Sequence, residues 1–326
     1  MEESTIVTAT SRGKAADHVT SVVRPNDFDA FWSDLLAKAV NVPLDPSMEH
    51  IPLRSNHQVD TYEIHYDSID GVRIAGWYCR PTERYVQPPY PAMLLVPGYI
   101  SEPAVPKSWA KMGYAAVGVA PRGKLRSNSQ FNPGYPGLLT HNIVDRETYS
   151  YRAFYIDACR AVDFVQGREE IDSSRIGVQG GSQGGALTIT TAALRSDAIT
   201  CGAAGAPYLT GFMDSASLTH SNPYEEMNDY LRLYPEREAA MRRTLDYFDC
   251  INFAPMINAH MLVSAGLGDY VCPPETAFAL VSQMTCPVEF LTYPRCAHDA
   301  GGYWCMPRVE EFLAGHLKPA KYGVAR

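Results

Sequence analysis

Positive charge is scarce in this chain. Its 326 residues carry 28 lysines and arginines against 36 aspartates and glutamates, a formal net charge of −8. Nucleic-acid binding and adhesion to anionic lipid both need the opposite balance, so neither partner is expected. Long apolar runs are absent, and none approaches the ~20 residues of a membrane-spanning helix. Residues 1–23 are polar and mixed in charge, without the basic start and apolar stretch of a secretory signal. A cytoplasmic location is the expectation. Cysteine is present but unpatterned: Cys79, Cys159, Cys201, Cys250, Cys272, Cys286, Cys296 and Cys305 fall at irregular spacing with no C-x-x-C. That excludes the usual zinc frameworks and leaves reduced, mostly buried thiols as the reading. No internal repeat or low-complexity segment is visible.

What is present is a strand and helix alternation. Residues 1–23 are expected to form a flexible arm, 24–320 a single α/β domain and 321–326 a tail. Asn26 or Asp27 can cap a helix in which Phe28, Phe31, Trp32, Leu35, Leu36 and Ala39 recur at helical spacing. Pro43 and Pro46 end it. Residues 59–68 alternate, Asp70-Gly71 signals a hairpin and 72–80 returns. This hairpin is read as the first two strands of the sheet. Apolar strands then follow at 92–96, 114–119, 176–178, 199–206, 260–265 and 288–293. Helices are read at 109–112, 147–166, from Ala186 onward, at 274–284 and at 309–317. Such alternation implies an α/β fold with a mostly parallel central sheet and helices on both faces. Residues 207–256 break the rhythm with helical spacing and no strand. They are read as an insertion that walls a site, contacts another copy of the chain, or does both.

One stretch carries chemistry. Ile176 and Val178 form a strand, Ala186, Leu187 and Ile189 open a helical face, and Gly180-Gly181-Ser182-Gln183-Gly184-Gly185 lies between them. Gly-x-Ser-x-Gly alone is a weak signal. Between a buried strand and a helix, just past mid-chain, it is the nucleophile elbow of an α/β-hydrolase. The turn exposes the serine hydroxyl, and the helix N-terminus directs N–H groups at the place where an oxyanion forms.

A serine hydroxyl needs a base, and the base needs a carboxylate. In this fold the chain order is serine, acid, histidine. Of the histidines beyond the elbow, His316 lies in the last helix, His260 opens a strand and His220 lies in the insertion. His298 sits in a loop directly after the last strand, where the fold places the base. Asp269 ends the Gly-rich turn after the preceding strand and is the expected acid. Asp299, next to His298, is poorly placed to reach that ring and reads as loop-shaping. Asp246 and Asp249 are weaker rivals within the insertion. The oxyanion donors expected are the N–H of Gln183 and that of Tyr99, which follows the strand at 92–96.

With those residues in hand, the chain resembles carbohydrate esterase family seven, the acetyl xylan esterases and cephalosporin C deacetylases. The likeness runs over roughly residues 25–319 and includes Gly76-Trp77-Tyr78, Gly98-Tyr99, Arg122-Gly123, Thr148-Tyr149, Tyr151-Arg152, Pro207-Tyr208-Leu209, Gly266 to Asp269 and Pro273-Pro274. The resemblance implies a triad of Ser182, Asp269 and His298, oxyanion N–H groups from Tyr99 and Gln183, and an acyl pocket bordered by Tyr208 with Pro207 beside it. It implies deacetylation of small acetylated sugars and cephalosporin C, no cofactor and a homohexamer; no metal is expected, on the cysteine pattern above. Three positions depart from the family pattern: Pro97 stands for His, Lys124 for the Gln of Arg-Gly-Gln, and Asp299 for Glu. They leave a changed substrate open. Lys124 adds a charge, expected to be solvated; the alternative is that it serves an acidic substrate. A hydrolase for a larger acyl ester or an amide is the second reading, and a non-catalytic ligand-binding protein on the same fold is the third.

Overall fold

The computed structural model describes residues 13–320. The expected tail and residues 1–12 of the expected arm lie outside the described residues. The rest of that arm is fastened down: the Ser21 N–H and hydroxyl and the Thr20 hydroxyl all donate to Asp214.

Among the described residues, nine strands form one sheet: β1 (Ser47–His50), β2 (Val59–Asp67), β3 (Arg73–Pro81), β4 (Tyr90–Leu95), β5 (Ala115–Ala120), β6 (Ile171–Gly181), β7 (Ile199–Gly205), β8 (His260–Gly266) and β9 (Val288–Tyr293). Their order is β1-β2-β3-β5-β4-β6-β7-β8-β9. The first three pair antiparallel, β3 pairs antiparallel with β5, and every later pairing is parallel. This is the α/β-hydrolase arrangement.

The strand period places alternate side chains in two cores. Ala92 and Leu94 of β4 join Val117, Ile176 and Val178 under the helices Phe28–Val40, Ser150–Gln166 and Gln183–Leu194. Met93 points the other way, into a cluster with Trp109, Cys201, Leu262, Phe312 and Leu313 under the last helix. Trp32 is buried in the first core, stacked on Tyr155 and donating its indole N–H to the Tyr247 carbonyl. The aromatic face of the first predicted helix therefore packs, as its spacing requires. Residues 207–256 hold the helices Phe212–Leu218, Glu225–Leu233, Glu238–Leu245 and Cys250–Phe253 and no strand. Among the described residues, no helix is long and apolar enough to cross a membrane.

Two boundaries differ from the sequence reading. The hairpin is β2–β3, not the first two strands, because β1 precedes it on the sheet edge. Ser47–His50 is short, polar and mostly exposed, so it carries no apolar alternation to betray it. The last helix starts at Gly302 rather than near 309 and contains Pro307. Glycine and proline there read as breakers, yet packing of Cys305, Val309 and Phe312 holds the first turns helical.

One buried ion pair ties the loops at the C-terminal end of the sheet to a helix. Asp157, fully buried on Ser150–Gln166, accepts from Arg122 Nε at 2.8 Å, Arg122 Nη2 at 2.9 Å, the Arg122 backbone N–H at 2.9 Å and Ser68 Oγ at 2.6 Å. Arg122 also donates to the Ile69 carbonyl. Asp157→Ala would leave the buried Arg122 guanidinium with only the half-exposed Asp70, at 3.2 Å, as an acidic partner. Breaking a buried pair typically costs about 3–5 kcal/mol, and Asp70 places the loss toward the lower end. The expected outcome is a lower denaturant midpoint at unchanged slope in urea unfolding. A loss below about 1 kcal/mol would show that the pair does not anchor this loop.

Candidate active site

The elbow forms because β6 and the helix Gln183–Leu194 meet almost without a linker. Ser182 sits between them at φ 58°, ψ −121°, a conformation that costs a non-glycine residue energy. Its backbone is pinned on both sides: its N–H donates to the Gly205 carbonyl at 2.8 Å, and its carbonyl accepts from Tyr208 N at 3.1 Å. Gly184 is where the helix crosses β4. A Cβ there would stand 2.3 Å from the Val96 carbonyl oxygen, so no other residue fits without moving strand or helix.

The turn after β8 delivers Asp269, whose side chain is 1% exposed. Its Oδ1 accepts from Val271 N at 2.8 Å and Cys272 N at 2.9 Å. Its Oδ2 meets His298 Nδ1 at 2.9 Å. The two loops touch at Gly266, where a Cβ would lie 2.1 Å from the Ala297 carbonyl oxygen. His298 remains a third exposed and, with Ser182, lines two cavities. The larger, about 520 Å³, is walled by Tyr99, Ser101, Tyr135, Asn222, Pro223 and Glu226. The smaller, about 250 Å³, runs between the strand ends and the last helix, past Leu262, Cys305 and Met306.

Gln183 opens its helix, so its backbone N–H has no helical carbonyl to meet. Its buried side chain accepts from the Tyr151 hydroxyl at 2.8 Å and donates to the Gly98 carbonyl at 3.3 Å. Tyr99 is half-buried over the larger cavity. Its hydroxyl donates to Glu226 Oε1 at 2.8 Å and accepts from Leu139 N at 3.2 Å. Burial and the Glu226 charge hold the phenol well above its ordinary pKa.

Other expected residues fall elsewhere. Tyr208 is fully buried behind Tyr99, its ring 5.8 Å from that ring and 4.7 Å from Tyr224, and it lines neither cavity. Pro207 is buried beside Gly185. Asp299 is exposed and accepts from Ala297 N within its own loop. Asp249 is buried and caps Gly211, Phe212 and Ile251, and Asp246 accepts from Val23 N. His220 pairs with Glu225, and His260 stacks on His316. Lys124 corrects the expectation of a solvated side chain. It is 1% exposed, with Nζ on the carbonyls of Gly98 and Tyr99.

Two residues at the site escaped the sequence reading. Glu226 enters from the insertion, its second oxygen accepting from Gly137 N at 2.9 Å, and burial raises its pKa. Cys272 lies three residues past Asp269, the one signal that could have found it. Burial and the Asp269 charge push its thiol well above the ordinary range. Asp269, Cys272 and His298 carry metal-ligand atoms within 4.8 Å of one another. Within that group, His298 Nδ1 and Asp269 Oδ2 are engaged with each other at 2.9 Å, and Asp269 Oδ1 with two backbone N–H groups.

The geometry has close parallels. An acetyl xylan esterase from Paenibacillus sp. R4 superposes with a TM-score of 0.86 at 33% identity, over 94% of this chain and 99% of the other. Acetyl xylan esterase 1 from Thermoanaerobacterium sp. JW/SL YS485 gives 0.83 at 25% identity, over 92% and 97%. Acetyl esterase Axe7A of Xylanibacter ruminicola is 28% identical over 289 residues, which are 84% of this chain. The match spans 63% of that relative's own length. The model of the acetyl xylan esterase (AXE1) family matches residues 15–316, and the chain belongs to that family.

Proposed function

We propose that this protein is a serine esterase that removes acetyl groups from small esters such as acetylated sugars or cephalosporin C. The observation that carries the reading is the His298–Asp269 hydrogen bond beside a serine held at positive φ. The carboxylate fixes the imidazole with Nδ1 protonated and Nε2 free to accept the Ser182 proton. Ser182 Oγ then bonds to the acetyl carbon, and the carbonyl oxygen takes up the negative charge. The N–H groups of Tyr99 and Gln183 stabilise that oxyanion. The tetrahedral adduct collapses, His298 gives its proton to the departing alcohol oxygen, and the acetyl group stays on Ser182. Water repeats the sequence, His298 taking its proton, and acetate leaves. No step needs a cofactor. The larger cavity would take the alcohol portion, since the insertion residues Asn222, Pro223 and Glu226 widen it.

A cytoplasmic location and assembly into a homo-oligomer belong to the same reading. Eight free thiols support the first. Exposed apolar side chains such as Ile100, Leu125, Tyr303 and Trp304 support the second.

Ser182→Ala should lower kcat for aryl acetate hydrolysis by about 10⁴–10⁶ while the circular dichroism spectrum is preserved. A variant with a tenth of wild-type activity would defeat the serine mechanism.

Asp269→Asn should lower kcat by about 10⁴, because the imidazole tautomer is no longer fixed. Asp299→Asn should cost far less, because that carboxylate, at the smaller cavity's wall, bonds the Ala297 N–H and not the imidazole. Steady-state kinetics of the pair decide the acid, and the reverse order would transfer the role to Asp299.

Acyl length tests specificity. The acyl end implied by the resemblance, beside Tyr208, has no open space, since that ring is packed behind Tyr99 and lines neither cavity. A longer chain placed there would have to displace packed atoms, at about 1–3 kcal/mol. A series with one aryl leaving group should therefore lose at least about tenfold in kcat/KM from acetyl to butyryl. An optimum at butyryl or beyond would favour the larger-acyl reading and assign the 250 Å³ cavity to the acyl chain.

A further inference from the structure

Lys124 is an unusual place for a charge. The loop that carries it follows β5 and is locked by the Arg122–Asp157 pair. Gly123, at φ 82°, turns the chain so that Lys124 reaches across to the loop after the neighbouring strand β4. A buried ammonium needs compensation for lost water. Here it comes from neutral groups: Nζ donates to Gly98 O at 2.7 Å and to Tyr99 O, and lies 5.0 Å from the centre of the Tyr135 ring. Glu102 is the acidic group that acts on it. The phenols of Tyr99 and Tyr135 are the other titratable groups around it, and Glu226 stands beyond, on the Tyr99 hydroxyl.

The acceptor matters more than the charge alone. Gly98 O and Tyr99 N belong to one peptide unit. In a planar trans peptide the carbonyl and the N–H point in opposite directions. Whatever holds Gly98 O therefore aims Tyr99 N–H. Two groups hold it, Lys124 Nζ at 2.7 Å and Gln183 Nε2 at 3.3 Å. A full positive charge on the carbonyl oxygen also polarises the peptide and makes its N–H a stronger donor.

We propose that Lys124 is a positioning residue for the oxyanion site, its ammonium aiming and strengthening the Tyr99 N–H through the Gly98 carbonyl. This rests on the serine-esterase reading above. A glutamine amide at this position could hold the same carbonyl without bringing a charge, so the departure at 124 couples the oxyanion donor to a titratable group. Burial pushes the Lys124 ammonium down to about 8. The charge is present below that pH and is lost as pH rises through it.

The test is kcat/KM for an aryl acetate, corrected for spontaneous hydrolysis, across about pH 6.5 to 10. Wild type, Lys124→Gln and Lys124→Met are compared. Wild type should decline above about pH 8, and both variants should lose that alkaline limb. Near neutrality Lys124→Met should lower kcat by about 10–100-fold with KM within about threefold, a partial loss of one oxyanion donor. Lys124→Gln should recover part of that loss. Lys124→Gln keeps a donor for the carbonyl, so the limb alone decides even if Lys124→Met does not fold. A wild type without the limb, or a limb unchanged in Lys124→Gln, overturns the proposal. A serine-directed phosphonate separates the two failures. Wild type labelled at Ser182 with the limb unchanged in Lys124→Gln defeats only the Lys124 role. Wild type left unlabelled and active defeats the esterase mechanism beneath it.

Discussion

The close approach of the helix Gln183–Leu194 to the end of β4 is the constraint on which the site depends. Gly184 lies so near the Val96 carbonyl that no side chain fits between them. That contact forces the chain to turn within one residue after β6, and the residue in the turn is Ser182 at positive φ. The strain is held by hydrogen bonds from both flanks, to Gly205 and from Tyr208. The same approach brings the loop after β4 against the helix N-terminus, where the Gln183 side chain donates to the Gly98 carbonyl. Strand order does the rest. Parallel neighbours end on the same side of the sheet, so the loops after β8 and β9 bring Asp269 against His298, and the loop after β5 brings Lys124 against Gly98 and Tyr99.

The polar groups at this site are held by carbonyls and amides more than by opposite charges. Asp269 is satisfied by two backbone N–H groups and one imidazole. Glu226 is satisfied by a phenol and a backbone N–H. Lys124 rests on two carbonyls and an aromatic face. Such partners are fixed in direction by the backbone and cannot swing away as a surface carboxylate can. Pre-set dipoles of this kind stabilise charge that appears only during reaction.

Ser182, Asp269 and His298 were legible because each follows a strand that the apolar pattern marks, and because the fold fixes their order along the chain. The helical insertion was legible by the same logic, as a break in that pattern. Lys124 was not. Its burial depends on a contact between two loops 25 residues apart in sequence, and a lone lysine in a turn between two arginines reads as solvated. Glu226 was hidden likewise, because nothing in an amphipathic helix says which acidic residue faces a distant tyrosine. The polar β1 and the start of the last helix were missed for local reasons. One lacks apolar alternation, and the other is helical despite the glycine and proline in its opening turns.

The central claim is that one serine, set by the elbow, carries the acyl group. It is tested most directly by reacting the intact protein with a serine-directed phosphonate and mapping the adduct by peptide mass spectrometry. The account predicts one stoichiometric adduct on the peptide containing Ser182, loss of esterase activity in proportion to labelling, and protection by a slowly turned-over acetyl ester. An adduct confined to another residue, or full labelling of Ser182 with activity retained, would contradict it.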